Sequence, residues 1–389
     1  MDFLFTKDQD LIRKSTKEFF EKECPKDKVR ELKADDKGYD PKMWKKMVEL
    51  GYQGLVIPEA YGGTEGDFWD LLIFMEEMGR NIVPCPYFPT VVLCALPVMA
   101  FGTEAQKEAI LPKIAEKGQI WSYAQIEESS EQEASGIAMA AALAGDDYVL
   151  SGTKLFVPYA NAADKLLVVA RTAESDDPEQ GITVFIVDAK AEGLSCDVIP
   201  TTARDMRCML TFDKVKVPKE NVLGSPDQGW EIVDYIQQHA AVLKAAEMCG
   251  GAQAAFDISL KYCKERKQFD KPIGSFQSIQ HRLVDLLTEV EGLQYVTYEA
   301  AWRISTGSPS RRLNSIAKAK ANGVYHRVCY HGIVMHGAIG WTEEMDIGLY
   351  HLRTRSMIYD GGGTDLHLEK IACELETAEP DFVKLYGTP

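Results

Sequence analysis

Positive charge is scarce in this sequence. Its 389 residues hold 43 Lys and Arg against 59 Asp and Glu, a formal net charge of −16. That balance argues against a general nucleic-acid binder, because neutralising phosphates supplies most of such a protein's affinity. No run of about 18 apolar residues occurs, so no membrane span is expected. Cysteine is present but unorganised: there are nine, an odd number, and no pair forms a CxxC. This points to free thiols in a reducing compartment. The opening Met1-Asp-Phe-Leu-Phe-Thr-Lys-Asp has no basic stretch and no cleavage pattern. A signal peptide is therefore not expected, and a cytoplasmic location is. His326, His331 and His336 stand five apart, on different faces of a helix rather than at i, i+4, so no metal site is expected. Internal repeats and low-complexity tracts are also missing.

What is present reads as an ordinary globular chain, 46% hydrophobic and 26% charged. The length suits two or three domains of roughly 100–200 residues each. Residues 1–120 read as helices. Leu11, Ile12, Phe19 and Phe20 recur at helical spacing, and Pro41 follows Asp40 as a helix start. Residues 121–228 change character. Runs such as Lys165-Leu-Leu-Val-Val-Ala-Arg and Ile182-Thr-Val-Phe-Ile-Val, separated by turn signals, predict an all-β module. Residues 229–389 return to long helices, with Gly250-Gly251 as a place for another helix to pack closely. The order is α, β, α.

Several motifs carry a resemblance across essentially the whole chain. They are Glu265-Arg-Lys-Gln-Phe-Asp-Lys-Pro-Ile-Gly-Ser-Phe-Gln, Val215-Lys-Val-Pro-Lys-Glu-Asn-Val-Leu-Gly before Gly229-Trp230, and His336-Gly-Ala-Ile-Gly-Trp-Thr-Glu-Glu. To these are added Glu59-Ala-Tyr-Gly-Gly and Glu76-Glu-Met-Gly-Arg. Together they resemble the FAD-dependent acyl-CoA dehydrogenases. The resemblance implies a mainly α fold: an N-terminal helical domain, a β-barrel or sandwich middle domain and a C-terminal four-helix bundle. It implies FAD, an acyl-CoA substrate, electron-transfer flavoprotein as acceptor, and a homotetramer or dimer in which a neighbour completes the flavin site. The reaction it implies removes a proton to a carboxylate and a hydride to flavin N5, giving an enoyl-CoA.

Carried over residue by residue, the resemblance places Gln125, Ile126, Phe156 and Pro158 at the flavin ring. Arg266, Gln268, Phe269, Gln277 and Gly337 would reach the FAD of a neighbour, and Thr364 would be a further cofactor contact. Arginine suits a pyrophosphate because its guanidinium stays charged and can bind bidentately. Three departures stand out. Glu127-Glu-Ser-Ser-Glu-Gln-Glu replaces a glycine-rich loop and is expected to face solvent. Val334 stands where many members carry glutamine. The base loop reads Tyr359-Asp-Gly-Gly-Gly-Thr, so matching on Tyr-Asp-Gly makes Asp360 the base, whereas ungapped counting puts Gly361 there. The family's second base position falls on Ala240. Glu247 lies seven residues further, about two turns or roughly 10 Å along the same helix face, and is the other candidate. A base near Thr90 is a third possibility. The atypical loop suggests a cyclic or branched acyl group. The rival readings are a non-catalytic scaffold subunit of a mixed assembly, and an oxidase that reacts with oxygen.

Overall fold

The computed structural model describes residues 5–129 and 131–377. The chain opens with helices α1 (Lys7–Glu23), α2 (Lys26–Leu32), α3 (Pro41–Glu49), α4 (Phe68–Asn81), α5 (Leu96–Phe101) and α6 (Glu104–Ala115). Their starts follow from local chemistry. Thr6, Asp67 and Thr103 each accept the amide three residues on, and Gln9, Asp70 and Gln106 return the bond in capping boxes. Asp40 caps α3, with Pro41 in the first position where no N–H is needed. Phe88–Ala95 forms a wide π-type helix that is buried throughout. Its continuous apolar run has no period that announces such a turn.

The strands are β1 (Trp121–Ala124), β2 (Ala140–Ala144), β3 (Asp147–Pro158), β4 (Lys165–Arg171), β5 (Ile182–Asp188), β6 (Leu194–Val198), β7 (Arg207–Pro218) and β8 (Val222–Leu223). They form one sheet in the order β6-β7-β3-β2-β4-β5-β8, with β1 parallel to β4. The long β3–β7 pair shifts register between Lys154 and Val157. This irregularity holds Phe156 at φ +55°, a region that costs a bulky residue energy.

The chain ends in α7 (Gly229–Glu265), the short hairpin of β9 (Lys267–Gln268) and β10 (Lys271–Pro272), α8 (Gln277–Ser305), α9 (Arg311–His336), α10 (Ile347–Met357) and α11 (Thr364–Thr377). Helices α7, α8, α9 and α11 pack as a bundle, and α4 lies along α7. The fold is thus mainly helical around a central β domain. Glycines set the α4–α7 approach. A Cβ on Gly250 would lie 1.8 Å from the Glu76 carbonyl oxygen, and one on Gly79 would lie 1.7 Å from that of Glu247. The two backbones touch without side chains between them. No helix among the described residues is long and apolar enough to cross a membrane.

Candidate active site

A cavity opens where the sheet, α4, the wide helix, α7 and the loop after α10 converge. Gln125, Ile126, Phe156 and Pro158 form its sheet-side wall. Met78, Val83, Cys85, Phe88, Pro89 and Leu93 supply its apolar side. A second chamber shares Ile126, Phe156 and Asp360 and runs out past Thr201 and Arg355.

The inner end is charged. Helix α7 places Ala240, Lys244 and Glu247 on one stripe, at i, i+4 and i+7. Lys244 Nζ lies 2.5 Å from Glu247 Oε2 and 3.5 Å from Asp360 Oδ2. It also sits 3.7 Å over the Phe88 ring, a cation–π contact. Arg207 Nη2 donates to Asp360 at 2.8 Å, and Arg207 Nε donates to Asp205 at 2.7 Å. Arg353 hydrogen-bonds the Ile82 carbonyl at 3.2 Å and feels both Asp205 and Glu247. Asp205, Arg207, Asp360, Lys244 and Glu247 thus follow one another in alternating charge, and Arg353 feels both ends without an ion pair, a ring left open at that point. Burial alone would raise the pKa of Asp360, but Arg207 and Lys244 outweigh it and hold the carboxyl below its ordinary value. Asp205 is held down in the same way, chiefly by Arg207 against the effect of burial.

The loop that carries Asp360 is clamped from behind. Lys318, fully buried on α9, donates to the carbonyls of Met357 (3.2 Å), Ile358 (3.3 Å) and Gly362 (3.1 Å), and to Asn322 Oδ1. Burial lowers its pKa to about 7, against the pull of Asp360. Asn322 also reaches the Thr364 hydroxyl at 3.3 Å, which makes Thr364 part of this clamp. At the mouth, Gln132 is a latch. Its carbonyl accepts from Gln125 and Gln237, and its side chain donates to the Tyr359 carbonyl.

The expected sites fall into two places. Gln125, Ile126, Phe156, Pro158, Asp360 and Glu247 come together on the cavity. Gly361 lies against α7, where a Cβ would be 3.1 Å from the Ala240 carbonyl, so both base positions implied by the family meet here. Arg266, Gln268, Phe269, Gln277 and Gly337 line neither chamber and are exposed. Phe269, 85% exposed, and Asp270 both have positive φ and form the two-residue turn between β9 and β10. Gly337 has φ +68° with nothing near its Cβ position, so conformation rather than space calls for glycine. Val334 is also exposed. Thr90 is turned away, bonded to the Trp121 backbone.

The acidic loop corrects an expectation. Glu127 is buried rather than solvent-facing. It accepts from fully buried Lys154 at 2.6 Å and from the Ala138 and Met139 amides, while Glu128, Glu131 and Glu133 are exposed. The ring members Asp205, Arg207, Lys244 and Arg353 escaped sequence reasoning. Lys244 alone left a signal, a lysine inside an apolar helical run three residues before Glu247.

Comparison with known proteins gives this geometry a lineage. Three family models match in succession: "Acyl-CoA dehydrogenase, N-terminal domain" over residues 6–118, the middle domain over 123–215 and the C-terminal domain over 227–375. The probable acyl-CoA dehydrogenase YngJ of Bacillus subtilis is 33% identical, with 94% of this chain and 96% of that protein covered. The chain belongs to the acyl-CoA dehydrogenase family. As such it is an oxidoreductase acting on acyl-CoA. A second relative is the caffeyl-CoA reductase-Etf complex subunit CarC of Acetobacterium woodii, 31% identical with 92% of this chain and 95% of that protein covered. The solved butyryl-CoA dehydrogenase from Megasphaera elsdenii superimposes with a TM-score of 0.90 at 30% identity, covering 97% of this chain and all of that one (100%).

Proposed function

We propose that this acyl-CoA dehydrogenase converts an acyl-CoA thioester to an enoyl-CoA, with Asp360 as the base. The observation that carries this reading is the placement of the Asp360 carboxylate on the same cavity as the wall of Gln125, Ile126, Phe156 and Pro158. That wall fits a flavin. Phe156 is a 45% exposed aromatic held in a left-handed conformation, a cost repaid by a flat ring packing against it. Pro158 offers no N–H there. FAD, when bound, supplies the acceptor for a hydride, that is, two electrons and one proton. Asp360 takes the proton from the α carbon as the β C–H bond breaks, and a carbon–carbon double bond remains. Arg207 and Lys244 keep Asp360 ionised and aimed, as general-base catalysis requires. Glu247 is committed to Lys244 and orients it. Lys318 and Gln132 fix the loop from two sides.

The exposed group of Arg266, Gln268, Phe269, Gln277 and Gly337 serves the FAD of a second copy, in a homotetramer or dimer. Electrons leave to an electron-transfer flavoprotein; the Etf-complex relative supports this choice. The atypical base loop Tyr359-Asp-Gly-Gly-Gly-Thr favours a cyclic or branched acyl group. The test is an anaerobic visible spectrum of the purified protein, followed by a panel of straight, branched and cyclic acyl-CoAs. Flavin bands that bleach with one class support the reading. A colourless protein that FAD does not reconstitute overturns it and leaves a scaffold subunit.

A further inference from the structure

Nine free thiols are spread over the chain, and two of them stand together. Strand β6 forms one end of the sheet and is exposed along most of its length. Its Cys196 pairs with Leu210 of β7, and its Val198 pairs with Cys208. Cys196 and Cys208 are therefore diagonal neighbours on one face of the two strands, roughly 7–8 Å apart with their side chains closer. Cys196 is exposed and Cys208 is buried. The Cys196 thiol donates to the Cys208 sulfur, which also accepts the backbone amides of Asn161 and Ala160 and lies beside Arg207. The bond from Cys196, then the two amides and Arg207, hold the Cys208 thiol below its ordinary value against the effect of burial. The other eight thiols are all pushed up. A buried thiolate touching an exposed thiol suits oxidation, with one sulfur to meet the oxidant and the other to resolve it.

We propose that Cys196 and Cys208 are a modification site, which a hydroperoxide oxidises to a disulfide that slackens the hold on Asp360. The pairing of the thiols stands apart from the dehydrogenase reading; its effect on the base rests on that reading. The Cys196 sulfur attacks one peroxide oxygen, the O–O bond breaks, and the thiol proton leaves with the departing hydroxide as water. The Cys208 thiolate then attacks the Cys196 sulfenic acid. The S–S bond forms, the S–O bond breaks, and hydroxide leaves to take up the proton that Cys208 had released. Two electrons pass from the sulfurs to the peroxide. A disulfide brings Cα atoms to about 4.4–6.8 Å, so β6 must close in on the start of β7. It can yield, because β7 is its one strand partner among the described residues. The chain leaving β6 is tied to the base. Ile199 donates to the Arg207 carbonyl at 2.8 Å, and the Thr201 hydroxyl donates to Asp205 at 2.7 Å. Asp205 in turn holds Arg207, and Arg207 holds Asp360. Cys208 itself follows Arg207 and pairs with Val157, next to Phe156 of the cavity wall. Moving the end of β6 thus pulls on the first link of the series that aims the base.

The test treats the flavin-loaded enzyme with hydrogen peroxide, removes the excess with catalase and maps the thiols by peptide mass spectrometry. A Cys196–Cys208 disulfide should form before Cys373, the other exposed thiol, is modified. Anaerobic flavin bleaching by the fastest acyl-CoA of the panel should then slow about tenfold, given that misplacing a group by about 1 Å can cost about a hundredfold. Dithiothreitol should restore the rate. Cys196→Ser lies at an exposed position that lines neither chamber. It should keep the untreated rate and lose the response to peroxide. A peptide map showing sulfinic acid, a disulfide between two chains or no change at these cysteines overturns the inference and leaves the dehydrogenase reading standing. A Cys196–Cys208 disulfide that leaves the bleaching rate unchanged overturns it as well. If no acyl-CoA bleaches the flavin even before treatment, the dehydrogenase reading falls, and the peptide map still decides whether the two thiols are a site of oxidation.

Discussion

Two groups of buried charges flank the α4–α7 contact, and they are built for different ends. On one side Glu76 accepts from Arg13 at 2.6 Å, from Tyr298 at 3.0 Å and from Gln294 at 3.1 Å. Each carboxylate oxygen has a partner, the partners come from α1 and α8, and no chamber described above reaches it. On the other side the Asp360 ring opens into the cavity, and Arg353 has room for another partner. Both groups pay the desolvation cost of buried ions. The first recovers it within the fold and ties helices together. The second is left incomplete, and an incomplete polar network is where a ligand gains most by entering.

Substitutions should separate the two. The largest effect is expected from Asp360→Asn, which should slow flavin reduction about a thousandfold, within the range for losing a general base. Its unfolding midpoint should fall as well, because Arg207 and Lys244 lose a buried partner, and stopped-flow absorbance on the folded protein with urea titration measures the two effects separately. Glu76→Ala should act on stability alone. It removes the carboxylate that pairs with Arg13 and should cost about 3–5 kcal/mol in chemical denaturation, while the folded fraction keeps its rate of reduction. Gly250→Ala strikes the contact between the two groups. Its Cβ cannot share space with the Glu76 carbonyl, so α4 and α7 must part, at a cost of about 1–3 kcal/mol. Equal losses in denaturation and in substrate affinity would show that both groups depend on one helix pair.

The smallest expected effect is a pH dependence at Lys318. Its folded pKa, about 7, lies below the ordinary lysine value of 10.5. Between those values the unfolded chain binds the extra proton, so Lys318 makes stability rise with pH from about 7 toward 10.5. Lys318→Met removes that rise. The destabilisation it causes should therefore be larger at pH 9 than at pH 6, by about 2 kcal/mol in paired urea titrations.

Much of the fold was legible because local rules agreed with it. Asp40-Pro41 marked the start of α3, alternating runs marked β4 and β5, and Gly250-Gly251 announced a close helix contact. Motif resemblance named Gln125, Ile126, Phe156 and Pro158, which the structure brings to one cavity wall, and the residues of the exposed hairpin. The charged ring was not legible in this way, since its six members come from the loop before β7 and that strand's first residue, the middle of α7, α10 and the loop after it. No spacing in one dimension reports a convergence in three. Glu127 was misjudged for a related reason. Among neighbouring acids it looks like part of a solvated run, and its buried partner Lys154 is 27 residues away.

The glycine contact between α4 and α7 also has a mechanical meaning. Two helices whose backbones interlock cannot slide past each other without collision. The wall bearing Lys244 and Glu247 and the wall bearing Met78 therefore move as one body, and the pocket cannot widen by shearing that pair. Any adaptation to a bulkier guest falls to the Phe88–Ala95 segment opposite, whose wider coil sets the molecule's tolerance for size while the interlocked pair sets its tolerance for charge.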